Sequence, residues 1–209
     1  MKSFTARIAL VLATAALAFG AQAAEDKKAA KPDTTKGSAI YGQMCASCHG
    51  ADGNSGSPEN PKLAGQHPEY LVKQLQEFKS GKRASAVMSG MVAALSEADM
   101  KGIAYWLGEQ KAKTGFAKDK ELVAMGERIY RGGIADRNIA ACAGCHNPTG
   151  AGIPAQFPRV GGQHAAYSEA QLKAFRDGAR KNSVQMTQIA AKMNDKEIKA
   201  VSDYMAGLR

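Results

Sequence analysis

Two pentapeptides, Cys45-Ala46-Ser47-Cys48-His49 and Cys142-Ala143-Gly144-Cys145-His146, contain all four cysteines of the chain. Any chemistry assigned to the thiols must also explain a histidine at the same offset in both copies. CxxCH is the pattern that attaches haem c. Two thiols about one helical turn apart can add to the two vinyl groups along one edge of a porphyrin. The adjacent histidine then supplies the proximal axial ligand and leaves the opposite face of the iron for a second. A redox dithiol explains CxxC but gives the histidines no role. Zinc fits poorly, because the pairs lie far apart and a histidine abutting its cysteine is badly placed to share a tetrahedral site. Disulfides within CxxC would close loops too short to stabilise much. The motif therefore predicts two covalently bound haem c groups on Cys45, Cys48, Cys142 and Cys145, with His49 and His146 as metal ligands.

An internal repeat extends this assignment. Adding 97 carries Cys45, Cys48 and His49 onto Cys142, Cys145 and His146, Pro61 onto Pro158, and Gly65-Gln66-His67 onto Gly162-Gln163-His164. The same offset pairs Tyr70 with Tyr167, Gln74 with Gln171, Phe78 with Phe175 and Arg83 with Arg180. One extra residue then shifts the offset to 98, which pairs Met88 with Met186 and Trp106 with Tyr204. Before the motif the offset is 89, pairing Gly37 and Tyr41 with Gly126 and Tyr130, so the second copy has eight more residues leading to its CxxCH. A thioether opposite imidazole favours reduced iron and raises the potential. Met88 and Met91 both suit that place, but Met91 falls opposite Ile189, whereas Met88 falls opposite Met186. Met88 and Met186 are the predicted sixth ligands, with bis-histidine ligation through His67 and His164 as the alternative. Met44, Met100, Met125, Met193 and Met205 have no methionine opposite and read as core filler. His67 and His164 otherwise read as residues capping the helix that follows, or facing a haem propionate. Pro61 and Pro158, each 12 residues after its histidine, are the candidates for the carbonyl that orients the imidazole.

Each repeat reads as three short helices joined by glycine-rich loops, an all-α fold. Tyr41 and Tyr130 follow Gly37 and Gly126 by four residues, one face of a first helix whose glycine admits a close neighbour. A middle helix runs from Pro68 to about Gly81, and its equivalent stops near Gly178. Ser96 with Asp99, and Asn194 with Glu197, read as capping boxes opening the last helix. After them Met100, Ile103, Ala104 and Leu107, and Ile198, Val201 and Met205, form apolar stripes for the core.

Residues 1–23 carry Lys2 and Arg7, an apolar run from Ile8 to Phe19 and Ala21-Gln22-Ala23, the plan of a secretory signal peptide. The run is shorter than the roughly 20 residues a membrane span needs. Export places the protein in the periplasm, where bacteria attach haem c. Its removal leaves 186 of 209 residues, with few large aromatics for one big core, so two small haem domains are expected at 24–108 and 122–209. Residues 109–121, lysine-rich and short of large apolar side chains, read as the linker, and residues 24–35 as a frayed start. Loss of Lys2 and Arg7 lowers the net charge from +9 to +7, and propionates offset part of that. Scattered cations without a nucleic-acid motif argue against nucleic-acid binding. A lysine fringe suits an acidic redox partner, although it could equally be a solvated face.

With these residues in view the chain resembles the class I cytochromes c, and specifically the dihaem cytochrome c4 family. Beside the CxxCH pair, the resemblance rests on Pro61-Lys62-Leu63-Ala64-Gly65-Gln66, Tyr70-Leu71-Val72-Lys73-Gln74-Leu75 and Met88-Ser89-Gly90-Met91. It implies two tandem cytochrome c-like domains related by approximate twofold symmetry, with propionate edges meeting near their interface. It also implies a monomeric electron carrier, not an enzyme, passing electrons by outer-sphere transfer from a bc1-type quinol-cytochrome c oxidoreductase to a cytochrome c oxidase, with loose membrane association in some members. The alternatives are a haem subunit of a larger dehydrogenase complex and a dihaem peroxidase. The longer second loop, Arg131 to Ala141, and Ala165 in the place of Pro68 are departures that bear on partner contacts or potential.

Overall fold

The computed structural model describes residues 31–209. The expected leader lies outside the described residues. The first half contains α1 (Thr34–Met44), α2 (Ala46–His49), α3 (Pro68–Lys79), α4 (Ala86–Val92) and α5 (Glu97–Glu109). The second contains α6 (Lys120–Gly132), a 3-10 turn (Ala135–Arg137), α7 (Ala143–His146), α8 (Ala165–Arg176), α9 (Val184–Ala190) and α10 (Asp195–Gly207). No strand occurs among the described residues, only two isolated bridges. Five α-helical segments stand in each half where periodicity predicts three. The extra ones are the CxxCH turn and the methionine-bearing turn, four and seven residues long. Segments that short show no readable 3.6-residue repeat. In the described part of 24–35, where a frayed start is expected, Asp33 accepts the Lys36 N–H at 2.9 Å and caps α1 from Thr34.

Each half is built on a crossing of its first and last helices. A Cβ on Gly37 would lie 2.1 Å from the Gly102 carbonyl carbon, and one on Gly126 would lie 2.2 Å from the Ala200 oxygen. The helix backbones touch there, which only glycine permits. Behind each crossing the predicted stripes are buried: Met100, Ile103, Ala104 and Leu107 with Tyr41, Leu71 and Phe78, and Ile198, Val201 and Met205 with Tyr130 and Leu172. Met193 is also core, as the filler reading expects. Both capping boxes form. Asp99 additionally pairs with Lys36 at 2.6 Å. The hydrogen bond from Lys36, with those from Ser96, holds the Asp99 carboxyl down at about 2, against about 4 in an unfolded chain. A depressed carboxylate stabilises the fold above its unfolded pKa, and that stabilisation disappears as pH falls through the folded one. The stability gap between the wild type and Asp99→Asn, measured by denaturant unfolding, should be open at neutral pH and close between about pH 4 and about pH 2. A gap undiminished at pH 2 would mean that shape, not charge, sets the contribution.

Residues 110–119 are more fixed than a lysine-rich composition suggests. Asn54 donates to the Lys111 carbonyl at 3.0 Å and accepts the Lys113 N–H at 2.8 Å. The Asp203 carboxylate accepts the Lys118 and Asp119 N–H groups at 2.9 to 3.1 Å. The connecting strap is thus hydrogen-bonded to the first half at one end and to the second at the other. The eight extra residues of the second half are ordered as well. Ile134 and Ile139 exchange backbone hydrogen bonds, Ile139 is buried, and Arg137 pairs with the buried Glu197.

Candidate haem centres

In the first half Cys45 sits between α1 and α2, half-buried, Cys48 lies exposed in α2, and His49, 8% exposed, closes that turn. Gly50 then leaves at φ 81°, a left-handed exit taken by Asn147 (φ 70°) in the second half. Tyr41, fully buried, donates from its hydroxyl to the Gly50 carbonyl at 2.7 Å and holds the turn's end. His49 Nδ1 donates to the Pro61 carbonyl at 3.0 Å, and Nε2 has no hydrogen-bond partner among the described residues. Desolvation lowers the imidazole pKa more than the Pro61 bond raises it, so the ring is neutral near pH 7 and Nε2 keeps its lone pair.

The second half repeats the plan. Cys142 precedes α7, Cys145 lies within it, and His146 ends it, 9% exposed. Tyr130 donates to the Asn147 carbonyl at 2.6 Å, and His146 Nδ1 donates to the Pro158 carbonyl at 2.9 Å. Burial lowers the His146 pKa and pushes the Cys142 thiol up to about 11. A dithiol redox site needs the reverse, a cysteine whose pKa is depressed.

Met88 and Met186 occupy the third position of α4 and α9. The hydroxyls of Ser85 and Ser183 accept their N–H groups at 3.3 and 3.4 Å. The serines recur at the offset of 98, so this capping was visible in the repeat, though nothing in composition gave it weight. Met88, Cys45 and Ala46 border one apolar cluster, and Met186, Cys142 and Ala143 border the other. Met91 is not among the side chains packed on the first cluster, whereas its counterpart Ile189 packs on the second. In each half one thiol of the pair and the thioether border the same apolar cluster, and the imidazole that follows the second thiol has one nitrogen without a hydrogen-bond partner among the described residues. That donor set fits haem c.

The two halves meet through the polar residues the repeat pairs. Arg83 donates to Gln74, Tyr167 and Gln171 at 2.8 to 2.9 Å, and Arg180 donates to Gln171, Tyr70, Gln74 and Asn182 at 2.8 to 3.2 Å. Each guanidinium also lies over its own phenylalanine, Phe78 or Phe175, at 4.6 and 4.4 Å. His67 and His164 do not cap their helices: neither side chain makes a capping bond. His67 Nε2 instead donates to the Ala151 carbonyl, and His164 Nε2 to the Ser55 carbonyl, both at 2.9 Å and both across the interface. Matched polar pairs outside CxxCH were the signal for this surface.

The cytochrome c family model matches residues 34–111 and again 123–209, so fold and sites define two tandem cytochrome c domains with two covalently bound haem c groups, a dihaem electron carrier. A cytochrome c4 from Pseudomonas aeruginosa is 47% identical over 180 residues, covering 82% of this chain and 89% of that one. The crystal structure of reduced recombinant cytochrome c4 from Pseudomonas stutzeri matches with a TM-score of 0.81 and 43% identity, covering 85% of this chain and 99% of that one. The chain belongs to the dihaem cytochrome c4 family. A thiosulfate dehydrogenase electron acceptor from Stutzerimonas stutzeri is also similar, 38% identical over 198 residues, 92% of this chain and 90% of that one. No helix among the described residues is long and apolar enough to cross a membrane.

Proposed function

We propose that the protein is a periplasmic, monomeric carrier, with domains at 24–108 and 122–209, that takes electrons from a quinol-cytochrome c oxidoreductase and delivers them to a cytochrome c oxidase. Bound haem c supplies an iron that alternates between ferrous and ferric. The observation that supports this reading is that Met88 and Met186 border the clusters that also carry Cys45 and Cys142, which suits pairing His49 with Met88 and His146 with Met186. Cys45, Cys48, Cys142 and Cys145 anchor the groups, and the Pro61 and Pro158 carbonyls fix the imidazoles with Nε2 directed away from the peptide. Two strong axial ligands leave no place for a substrate, which separates a carrier from a peroxidase.

The oxidised protein should show the weak near-infrared sulfur-to-iron band at an intensity corresponding to two haems. Absence of the band at both haems would overturn the methionine assignment, and a high-spin haem would turn the reading towards an enzyme. A second reading is favoured by the similarity to the thiosulfate dehydrogenase electron acceptor: service to a dehydrogenase as its acceptor or haem subunit. Stable co-purification with a dehydrogenase would select it over the free carrier.

A further inference from the structure

Gln66 and Gln163 hold the interface in an unusual place. Gln163 accepts the Lys62 N–H at 2.9 Å on Oε1 and donates from Nε2 to the Lys62 carbonyl at 2.9 Å. Gln66 does the same to Arg159, accepting its N–H at 2.8 Å and donating to its carbonyl at 2.9 Å. The following histidine fixes the amide orientation, because the His164 and His67 N–H groups also donate to the same Oε1 atoms at 3.0 Å. Lys62 follows Pro61, and Arg159 follows Pro158. The N–H that each glutamine accepts therefore belongs to the same peptide group as the carbonyl that receives the haem histidine of the opposite half.

We propose that Gln163 is a positioning residue for His49, and Gln66 for His146, each acting across the domain interface through one peptide group. The proposal rests on the reading of His49 and His146 as axial ligands. The relay runs from Gln163 Oε1 to the Lys62 N–H, through the amide to the Pro61 oxygen, and on to His49 Nδ1. Accepting a hydrogen bond at the N–H end of an amide polarises its carbonyl and makes that oxygen a better acceptor. A better acceptor at Nδ1 makes Nε2 a stronger donor to the metal. A more basic ligand stabilises the ferric form and lowers the potential. The segment is also gripped from its other end, since His164 holds the Ser55 carbonyl and His67 the Ala151 carbonyl, both between haem histidine and proline. Each domain thereby sets the ligand strength of the other.

The test is a potentiometric titration of the full dihaem protein, with Met88→Ala identifying the wave of the first haem. Gln163→Ala should raise the potential of the first haem, in the domain that does not contain the substitution, and Gln66→Ala should raise that of the second. A loosened interface would move both waves together in either variant, whereas the relay moves only the haem of the opposite domain. The relay is overturned if that haem's wave does not move, if it falls, or if each variant shifts both haems alike. Failure of the ligand reading is separate: Met88→Ala would then leave both waves in place.

Discussion

Gly37→Ala should destabilise the first half by about 3 kcal/mol, and Gly126→Ala should do the same to the second, the upper end of the ordinary cost of overpacking. A Cβ at either glycine meets backbone of the crossing helix at 2.1 or 2.2 Å, and backbone cannot swing aside as a side-chain tip can. The helices would have to part, and Tyr41 or Tyr130, which holds the end of the haem-bearing turn, lies four residues further along the same face. Guanidinium unfolding followed at the Soret band reads both effects. Gly42, also in α1, is the internal control: a Cβ there meets nothing within 4 Å. Gly42→Ala should therefore stabilise by roughly 0.5 to 1 kcal/mol, the helix-propensity gain alone. Two Gly→Ala changes in one helix with opposite signs would separate contact from propensity. Equal effects would refute the crossing as the cause.

Met88→Ala should remove half of the near-infrared sulfur-to-iron band, lower the potential of one haem and let one carbon monoxide bind per chain. Met186→Ala should do the same at the other haem, and Met91→Ala should change none of these. The distinction rests on Met88 and Met186 bordering the apolar clusters that also carry Cys45 and Cys142. Loss of the thioether exchanges a ligand that favours ferrous iron for water or nothing, which is why the potential falls. Carbon monoxide binding by the unaltered protein, or loss of the band on Met91→Ala, would reverse the assignment.

Much of this molecule is written in matched positions. The last helices, their capping boxes and their buried stripes follow from ordinary signals at Ser96 and Asn194. The Gly37 and Gly126 crossings follow from small residues four apart from buried tyrosines. What the pattern could not show is what a polar side chain does once another domain stands beside it. His67 reads as a helix cap from its place before Pro68, and only the opposite domain supplies the Ala151 carbonyl it bonds instead. Arg83 and Arg180 align as a pair, yet nothing local suggests burial; their partners are neutral oxygens of both halves and the faces of Phe78 and Phe175. The strap at 110–119 looks loose because its anchors, Asn54 and Asp203, lie far away in sequence.

One corner of the interface occurs only once. Buried Glu77 accepts from Lys73 at 2.9 Å and from Asn182 at 2.6 Å, and Asn182 belongs to the segment where the second copy has its extra residue. The positions matching Lys73 and Glu77 are Ala170 and Ala174. The glutamine, arginine, tyrosine and histidine contacts meet as two copies of one chain would about a dyad, each residue reaching the counterpart of its own partner. Two first halves joined that way would bury two Glu77 carboxylates without an Asn182 for either, and two second halves would have no carboxylate there at all. Only unlike halves complete the corner, so the pairing carries a built-in selectivity: separately produced halves should sort into mixed pairs, leaving like with like as the losing combination.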